Sequence, residues 1–198
     1  MYPQLRRYNG EFLMTLAYIL TERDRDIVIL QKLLPKNLIQ DIKFIAGESS
    51  YRARSLASSL LATRKTPVAL VIDADTNNES QVFEKQDLIN YVLNQASSGI
   101  PFQVSLAVPE IESIFLQDKS LIEKIAKRKD PFNDLEWQFA QSKPKEFLEA
   151  ILGKKHSLND TILGNLNDDE IKILQQHPLI QEIKGFLSSV IEPSVAIN

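Results

Sequence analysis

The sequence has no cysteine and only two histidines among its 198 residues. The absence of cysteine excludes disulfides, iron–sulfur clusters, thiolate zinc sites and cysteine nucleophiles, and it is typical of a cytoplasmic protein. His156 lies in a polar segment and His177 directly precedes a proline, so we interpret them as a loop residue and a helix cap rather than as catalytic groups. The sequence also has neither a P-loop nor a Gly-x-Gly-x-x-Gly motif, so it contains no recognisable nucleotide-binding loop.

Long hydrophobic runs are missing as well. The apolar run at 12–20 follows Arg6 and Arg7 and ends in a charged stretch without a small-residue cleavage site. Because this run is too short to cross a bilayer, we predict a buried strand at 13–20 and no membrane partner. The 43% hydrophobic and 25% charged residues are typical of a globular protein. The net charge of −3 does not exclude nucleic acid, because local basic patches matter more than the total.

The first 118 residues alternate between short apolar runs and segments with helical spacing. The predicted strands are 13–20, 42–46, 68–72 and 102–108. The predicted helices cover 24–34, 52–63 and a segment after the polar loop 75–80 that ends near 97–99, and Pro109 is expected to start a further helix in its preferred first-turn position. This alternation predicts an α/β fold with a four-stranded parallel sheet, flanking helices and functional groups at the carboxyl ends of the strands.

Beyond residue 118 the strand pattern stops and helical patterns follow one another. The predicted helices are 119–129, 135–140, 144–152, 168–176 and 178–191, and the segment 153–167 is interpreted as a polar loop. We therefore predict two parts, an α/β domain at 12–118 and a helical C-terminal extension at 119–198 that packs on it.

Acidic residues follow three of the predicted strands. Glu22 follows the first strand, Asp73 and Asp75 follow the third, and Glu110 and Glu112 follow the fourth. Neighbouring strands lie about 5 Å apart, so these carboxylates are expected to converge at one edge of the sheet. Carboxylates so close together repel unless a cation lies among them, and Mg²⁺ or Mn²⁺ prefers such oxygen ligands. The alternative is that acidic residues occur at these positions only because the loops that follow strands are exposed to solvent.

Four segments, taken in order, resemble parts of the Toprim domain of topoisomerases and primases. The segment 21–26 after the first strand resembles the Glu-Gly-x-x-Asp start of that domain, with Arg23 in the place of the glycine. The strand that ends at Gly47 resembles the second strand and turn of the domain, and 71–75 resembles its Asp-x-Asp motif. The segment 108–116 is similar to the Pro-x-x-Glu helix of small bacterial Toprim proteins related to overcoming-lysogenization-defect nucleases.

This resemblance covers residues 12 to 118 and implies a Toprim/Rossmann-like, Mg²⁺-dependent (or Mn²⁺-dependent) nuclease that cleaves nucleic acid, with DNA as the expected substrate. It also implies a role in phage defence beside a separate ATPase subunit. Glu22 would act in acid–base chemistry or metal binding. The implied catalytic residues and metal ligands are Glu22, Asp73 and Asp75, with Asp26 and Glu112 as supporting metal ligands.

Two residues depart from the Toprim pattern and leave other functions open. Arg23 replaces the glycine, and Glu48 stands where related nucleases have glycine or lysine. Arg23 favours a second hypothesis, a non-catalytic adaptor that keeps the sheet and binds a protein partner or nucleic acid. A third hypothesis is a metal-dependent enzyme that acts on a small phosphorylated substrate. Under each of these hypotheses the protein could form an oligomer.

Two basic segments are candidates for nucleic-acid binding. Arg52 and Arg54 belong to a stretch without any acid between Ser49 and Thr66. The segment 119–129 is the second, and its binding candidates are Lys124, Lys127 and Arg128. Lysine and arginine contact phosphates and make binding salt-dependent. The alternative is that both segments are solvated helix faces.

Overall fold

A computed structural model describes the backbone of residues 6–8, 11–13, 15–153 and 158–195, and the side chains of 15–153 and 161–191. His156, interpreted above as a loop residue, lies outside these ranges. Among the described residues, no helix is both long and apolar enough to span a membrane.

Parallel strands form the central sheet. A short antiparallel pair, β1 (Arg6–Tyr8) and β2 (Glu11–Leu13), precedes it. The sheet contains the four strands β3 (Ala17–Thr21), β4 (Ile42–Ala46), β5 (Val68–Asp73) and β6 (Phe102–Ala107). Their order is β4-β3-β5-β6 and all pairs are parallel, so the predicted four-stranded α/β fold is confirmed.

Helices cover both faces of this sheet. In chain order they are α1 (Asp24–Leu33), α2 (Lys36–Ile39), α3 (Ser50–Arg64), α4 (Glu79–Ser97), the 3-10 helix η1 (Ile111–Gln117), α5 (Lys119–Ile125), α6 (Asp134–Ser142), α7 (Pro144–Leu152), α8 (Leu158–Leu163), α9 (Asp168–Leu174) and α10 (Pro178–Val195). Successive side chains of β5 point to opposite faces. Leu70 and Ile72 pack in one core with α3 and α4, whereas Ala69 and Val71 pack in another with α1 and α10. Since both faces are covered, β5 is buried along its whole length.

The helices after residue 118 pack on the same side of the sheet as α1. Ile122 of α5, Phe147 of α7, Leu174 of α9 and Ile183 of α10 lie in one buried cluster with Ile19 of β3. This arrangement agrees with a helical extension packed on the sheet. The division of the chain at residue 118 stays a prediction, because one core contains residues from both sides of it.

The first predicted strand begins too early. Leu13 ends β2, where it pairs with Arg6, and the sheet strand begins only at Ala17. The apolar run at 12–20 extends from the end of β2 into β3. The hydrophobic pattern alone therefore did not show that two separate strands share this run.

Several helix bounds also differ from the sequence prediction. No helix starts at Pro109, which follows a cis peptide bond, and η1 begins two residues later with Glu110 as its N-cap. The helix predicted for 119–129 ends at Ile125, because Lys127 has a left-handed φ of 53°. The predicted loop 153–167 contains α8, in which Ile162 and Leu163 are buried. The four apolar residues of this segment, Leu158, Ile162, Leu163 and Leu166, do lie at helical spacing, but the prediction gave more weight to the polar residues around them.

Helix starts and one close backbone approach fix the turns beside the site. The Ser49 hydroxyl accepts a hydrogen bond from the backbone N–H of Arg52 at 3.3 Å and caps α3. A Cβ at Gly47, which follows β4, would lie 2.4 Å from the backbone nitrogen of Ala53 in α3, so only glycine allows this approach.

The helix-cap interpretation of His177 is confirmed, since its Nδ1 accepts from the Leu179 N–H at 3.3 Å.

Candidate active site at the carboxyl edge of the sheet

Two buried carboxylates meet at the carboxyl ends of the two central strands. Glu22 directly follows β3 and Asp73 ends β5, and these strands are neighbours. Oε1 of Glu22 accepts a hydrogen bond from the backbone N–H of Asp73 at 3.2 Å. The two residues are 6% and 3% exposed, so both acids lie almost entirely out of water.

Burial makes the charged forms of these two acids costly. It raises the pKa of Glu22, and the nearby charge of Asp73 raises that pKa further. Burial also raises the pKa of Asp73, although the Ile111 N–H, which donates to its Oδ1 at 2.9 Å, acts in the opposite direction. Two carboxylates in this environment are ionised together only if positive charge lies beside them.

Arg23 supplies that positive charge. Its Nη1 lies 3.1 Å from Oδ2 of Asp73 and its Nη2 lies 3.9 Å from Oε2 of Glu22. The side chain is 42% exposed, which means that the guanidinium reaches the acids from the solvent side. Arg23 therefore places a cation against both carboxylates.

Asp26 and Glu112 lie behind this pair, together with Arg25. They are 3% and 1% exposed. Nη2 of Arg25 lies 3.0 Å from Oε1 of Glu112, and its Nε lies 3.5 Å from Oδ1 of Asp26. Burial raises the pKa of Asp26 and raises that of Glu112 to about 7. We call Glu22, Asp26, Asp73 and Glu112 the acid cluster.

Asp26 also holds the start of α1. Its Oδ2 accepts a hydrogen bond from the backbone N–H of Arg23 at 3.0 Å, as an acidic residue does in a capping box. The Thr21 hydroxyl donates to the carbonyl oxygen of Arg23 at 3.0 Å. These two bonds fix the turn that carries Glu22 and Arg23, so Asp26 positions the site while its other oxygen faces Arg25.

The side chain of Asp75 contacts Lys85 rather than the residues of the acid cluster. Its side chain is 70% exposed, its φ is 62°, and its Oδ2 lies 2.9 Å from Nζ of Lys85 in α4. Lys85 also donates to the carbonyl oxygens of Asp73 and Ala74, at 2.7 and 3.2 Å. Lys85 thus fixes the turn after β5. The role of Lys85 could not be predicted from the sequence, because its contacts depend on the left-handed turn at Asp75.

The candidate nucleic-acid residues of α3 are engaged in local contacts. Arg52 forms an ion pair with Glu48, and the Nε of Arg54 donates to the carbonyl oxygen of Ser50 at 3.3 Å. Helix α3 packs on the core that contains Leu70. Phosphate binding by these two arginines stays a prediction.

The candidates beside α5 lie on the opposite side of the sheet. Lys124 pairs with Glu170 at 2.6 Å. Arg128 pairs with Glu136 at 2.8 Å and lies over the ring of Phe132, 4.3 Å from its centroid. Because α3 and α5 pack on different cores, Arg52 and Arg54 do not share a face with Lys124, Lys127 and Arg128. The two basic segments therefore lie on opposite sides of the sheet.

The fit of a divalent cation depends on the number of ligands it needs from the protein. Among the described residues, no group of three or more acids or histidines is arranged to hold a metal ion. Mg²⁺ is commonly bound by only one or two carboxylates, with waters and substrate phosphate oxygens as further ligands. Glu22 and Asp73 fit that smaller requirement, provided that the cation binds in exchange for the guanidinium of Arg23.

No family model, curated protein or solved structure significantly matches this chain. The Toprim resemblance therefore stays a prediction that depends on the motifs quoted above.

Proposed function

We propose that the acid cluster is the active site of a divalent-cation-dependent enzyme that cleaves phosphodiester bonds in nucleic acid. The observation that carries this proposal is the buried Glu22–Asp73 pair, on the carboxyl ends of neighbouring parallel strands, where α/β folds place their ligands. Two acids with raised pKa values and a specific charge partner are also typical of functional sites.

In this proposal, Glu22 and Asp73 are the residues that would hold Mg²⁺ or Mn²⁺. The bound cation would stabilise the charge that develops on the phosphate and activate a water. The Asp73 N–H and the Ile111 N–H each donate to one of the two carboxylates and fix its orientation. Arg25 contacts both Asp26 and Glu112 behind them and offsets part of the negative charge that these acids carry when ionised.

Arg23 has two roles in this proposal. Without a divalent cation, it pairs with both Glu22 and Asp73 and offsets part of their negative charge. When a cation replaces it, the guanidinium remains beside the site, since its backbone is fixed by Asp26 and Thr21. Guanidinium groups bind phosphate through paired hydrogen bonds, so the released Arg23 would bind the phosphate of the substrate.

Cleavage assays test this function directly. The purified chain would be incubated with plasmid DNA, single-stranded DNA, RNA and a small phosphate ester, each with Mg²⁺, Mn²⁺ or EDTA. We expect cleavage of a nucleic acid with a divalent cation and none with EDTA. Hydrolysis of the small ester alone would favour the third hypothesis of the sequence analysis. If no substrate is cleaved with either metal, the proposed function is wrong.

A second function, a non-catalytic adaptor, is favoured by one specific observation. The ion pairs of Arg23 with both acids already place positive charge where a metal would bind. In an adaptor, Arg23 would remain in place and divalent cations would not bind. A separate ATPase partner and a role in phage defence are further proposals, which depend on the Toprim resemblance alone.

A further inference from the structure

The outer surface of α3 and α4 exposes several large apolar side chains. Their exposed fractions are high for apolar residues: Tyr51 73%, Phe83 67%, Leu88 59%, Tyr91 67% and Val92 47%. Single exposed apolar residues are common on soluble proteins, whereas a contiguous group of them marks an interaction surface. We call these five residues, with the groove described next, the α3/α4 face.

A groove runs between the two helices. It has a volume of about 380 Å³ and is lined by Tyr51, Arg54, Ser55 and Ser58 of α3 and by Leu88 and Val92 of α4. Its floor includes Ile89 and Leu93, which belong to the core. The serines of α3 are small, so the groove has room for large apolar side chains from another molecule. Such anchors in a pocket dominate the energy of many protein interfaces.

Opposite charges lie on the two sides of this groove. Helix α3 carries Arg52, Arg54 and Arg64 and no acid; Arg54 lines the groove, and Arg52 pairs with Glu48 just before the helix. On the α4 side, the exposed charged residues are acidic: Glu79, Glu84 and Asp87. The one lysine of α4, Lys85, points to the turn after β5, where it contacts Asp75. The face thus has a basic side, an apolar middle and an acidic side.

We propose that a second copy of this chain docks on the α3/α4 face and forms a two-fold symmetric dimer, in which α3 of each protomer faces α4 of the other. A two-fold interface uses the same surface on both subunits, so the surface must be complementary to itself. The two-fold rotation places the basic α3 side of each copy against the acidic α4 side of the other, so the same contact occurs twice. The apolar side chains that line the groove of one copy then pack against those of the other. This dimer does not depend on the proposed enzymatic function.

The mass of the full-length chain in solution tests the proposal. Sedimentation velocity across micromolar concentrations should give twice the monomer mass of 22.5 kDa. The double variant Leu88→Glu/Val92→Glu should be a monomer with an unchanged circular dichroism spectrum. Leu135→Glu is the matched control, because Leu135 of α6 is 77% exposed and lies outside the face. This control should remain a dimer.

A charge exchange tests the paired arrangement without changing an apolar residue. One variant carries Glu84→Lys/Asp87→Lys and the other carries Arg52→Glu/Arg64→Glu. The dimer dissociation constant of each variant alone should be at least about tenfold higher than that of the wild type, because like charges then face each other across the interface. An equal mixture of the two should form a heterodimer, since both α3–α4 contacts again join opposite charges.

Three results would overturn the proposal. The first is a wild type that stays monomeric at all concentrations, which would leave the face to a different partner. The second is a wild-type dimer that the variant Leu88→Glu/Val92→Glu retains. The third is a pair of charge variants that are monomers and fail to associate when mixed.

Discussion

Asp73→Asn is expected to lower metal-dependent cleavage by at least about a hundredfold while leaving the fold intact. Asparagine has nearly the same shape and can still accept the hydrogen bond that Asp73 receives from the Ile111 N–H. It lacks the negative charge that would hold a divalent cation with Glu22. The loss of activity would therefore come from the site rather than from unfolding.

The same substitution should not destabilise the protein in EDTA. Burial raises the pKa of Asp73, which means that the ionised carboxylate is less favourable in the folded state than in the unfolded state. A neutral side chain removes this penalty, and Arg23, which loses a partner, is 42% exposed and can be hydrated. The free energy of unfolding of Asp73→Asn should equal or exceed that of the wild type, as measured by urea denaturation.

Two further variants make the Asp73 result specific. Asp169→Asn is a distant control, because Asp169 is exposed and pairs only with Lys172 among the described contacts. Asp75→Asn should reduce cleavage less than Asp73→Asn, since the Asp75 carboxylate contacts Lys85 and is 70% exposed. If Asp73→Asn keeps cleavage close to the wild-type rate, or unfolds at a markedly lower urea concentration, Asp73 is a structural residue and the proposed site is wrong.

Stability is expected to fall as the pH rises from about 4.5 to about 7, and Glu112 should account for much of the fall. Its pKa is raised from 4.5 to about 7 by burial, so the folded state binds a proton that the unfolded state has released in this range. A state that binds more protons is favoured at low pH, so this contribution is complete below pH 4.5 and disappears as the pH passes 7. The shift corresponds to about 3 kcal/mol of unfolding free energy.

Urea denaturation of the wild type and Glu112→Gln at a series of pH values measures this contribution. Glutamine does not ionise, so the wild type should lose about 3 kcal/mol relative to Glu112→Gln between pH 4.5 and pH 7.5. The difference between the two proteins cancels the titration of groups that they share. Glu79→Gln, a change at an exposed position of α4, is the matched control. A constant difference between wild type and Glu112→Gln across this pH range would contradict the prediction.

The sequence predicted the sheet well because β-strands and helices alternate with clear periods. The meeting of Glu22 with Asp73 also followed from strand ends alone, since neighbouring parallel strands end at the same edge. These features depend on the backbone, whose arrangement is strongly determined by the pattern of apolar residues.

The direction of individual side chains could not be predicted in this way. Asp75 is two residues from Asp73, yet a left-handed φ turns it toward Lys85. Arg23 and Arg25 are separated by a single residue at the start of α1, and they contact two different pairs of acids. Each of these outcomes depends on one torsion angle or on one contact between distant residues, for which the local sequence holds no signal.

The central claim is that Glu22 and Asp73 bind a divalent cation in exchange for Arg23, and calorimetric titration with Mn²⁺ tests it most directly. The wild type should bind Mn²⁺, Arg23→Ala should bind it at least about tenfold more tightly because the competing guanidinium is gone, and Asp73→Asn should not bind it. Equal binding by all three proteins, or no binding by the wild type and Arg23→Ala, would contradict the claim.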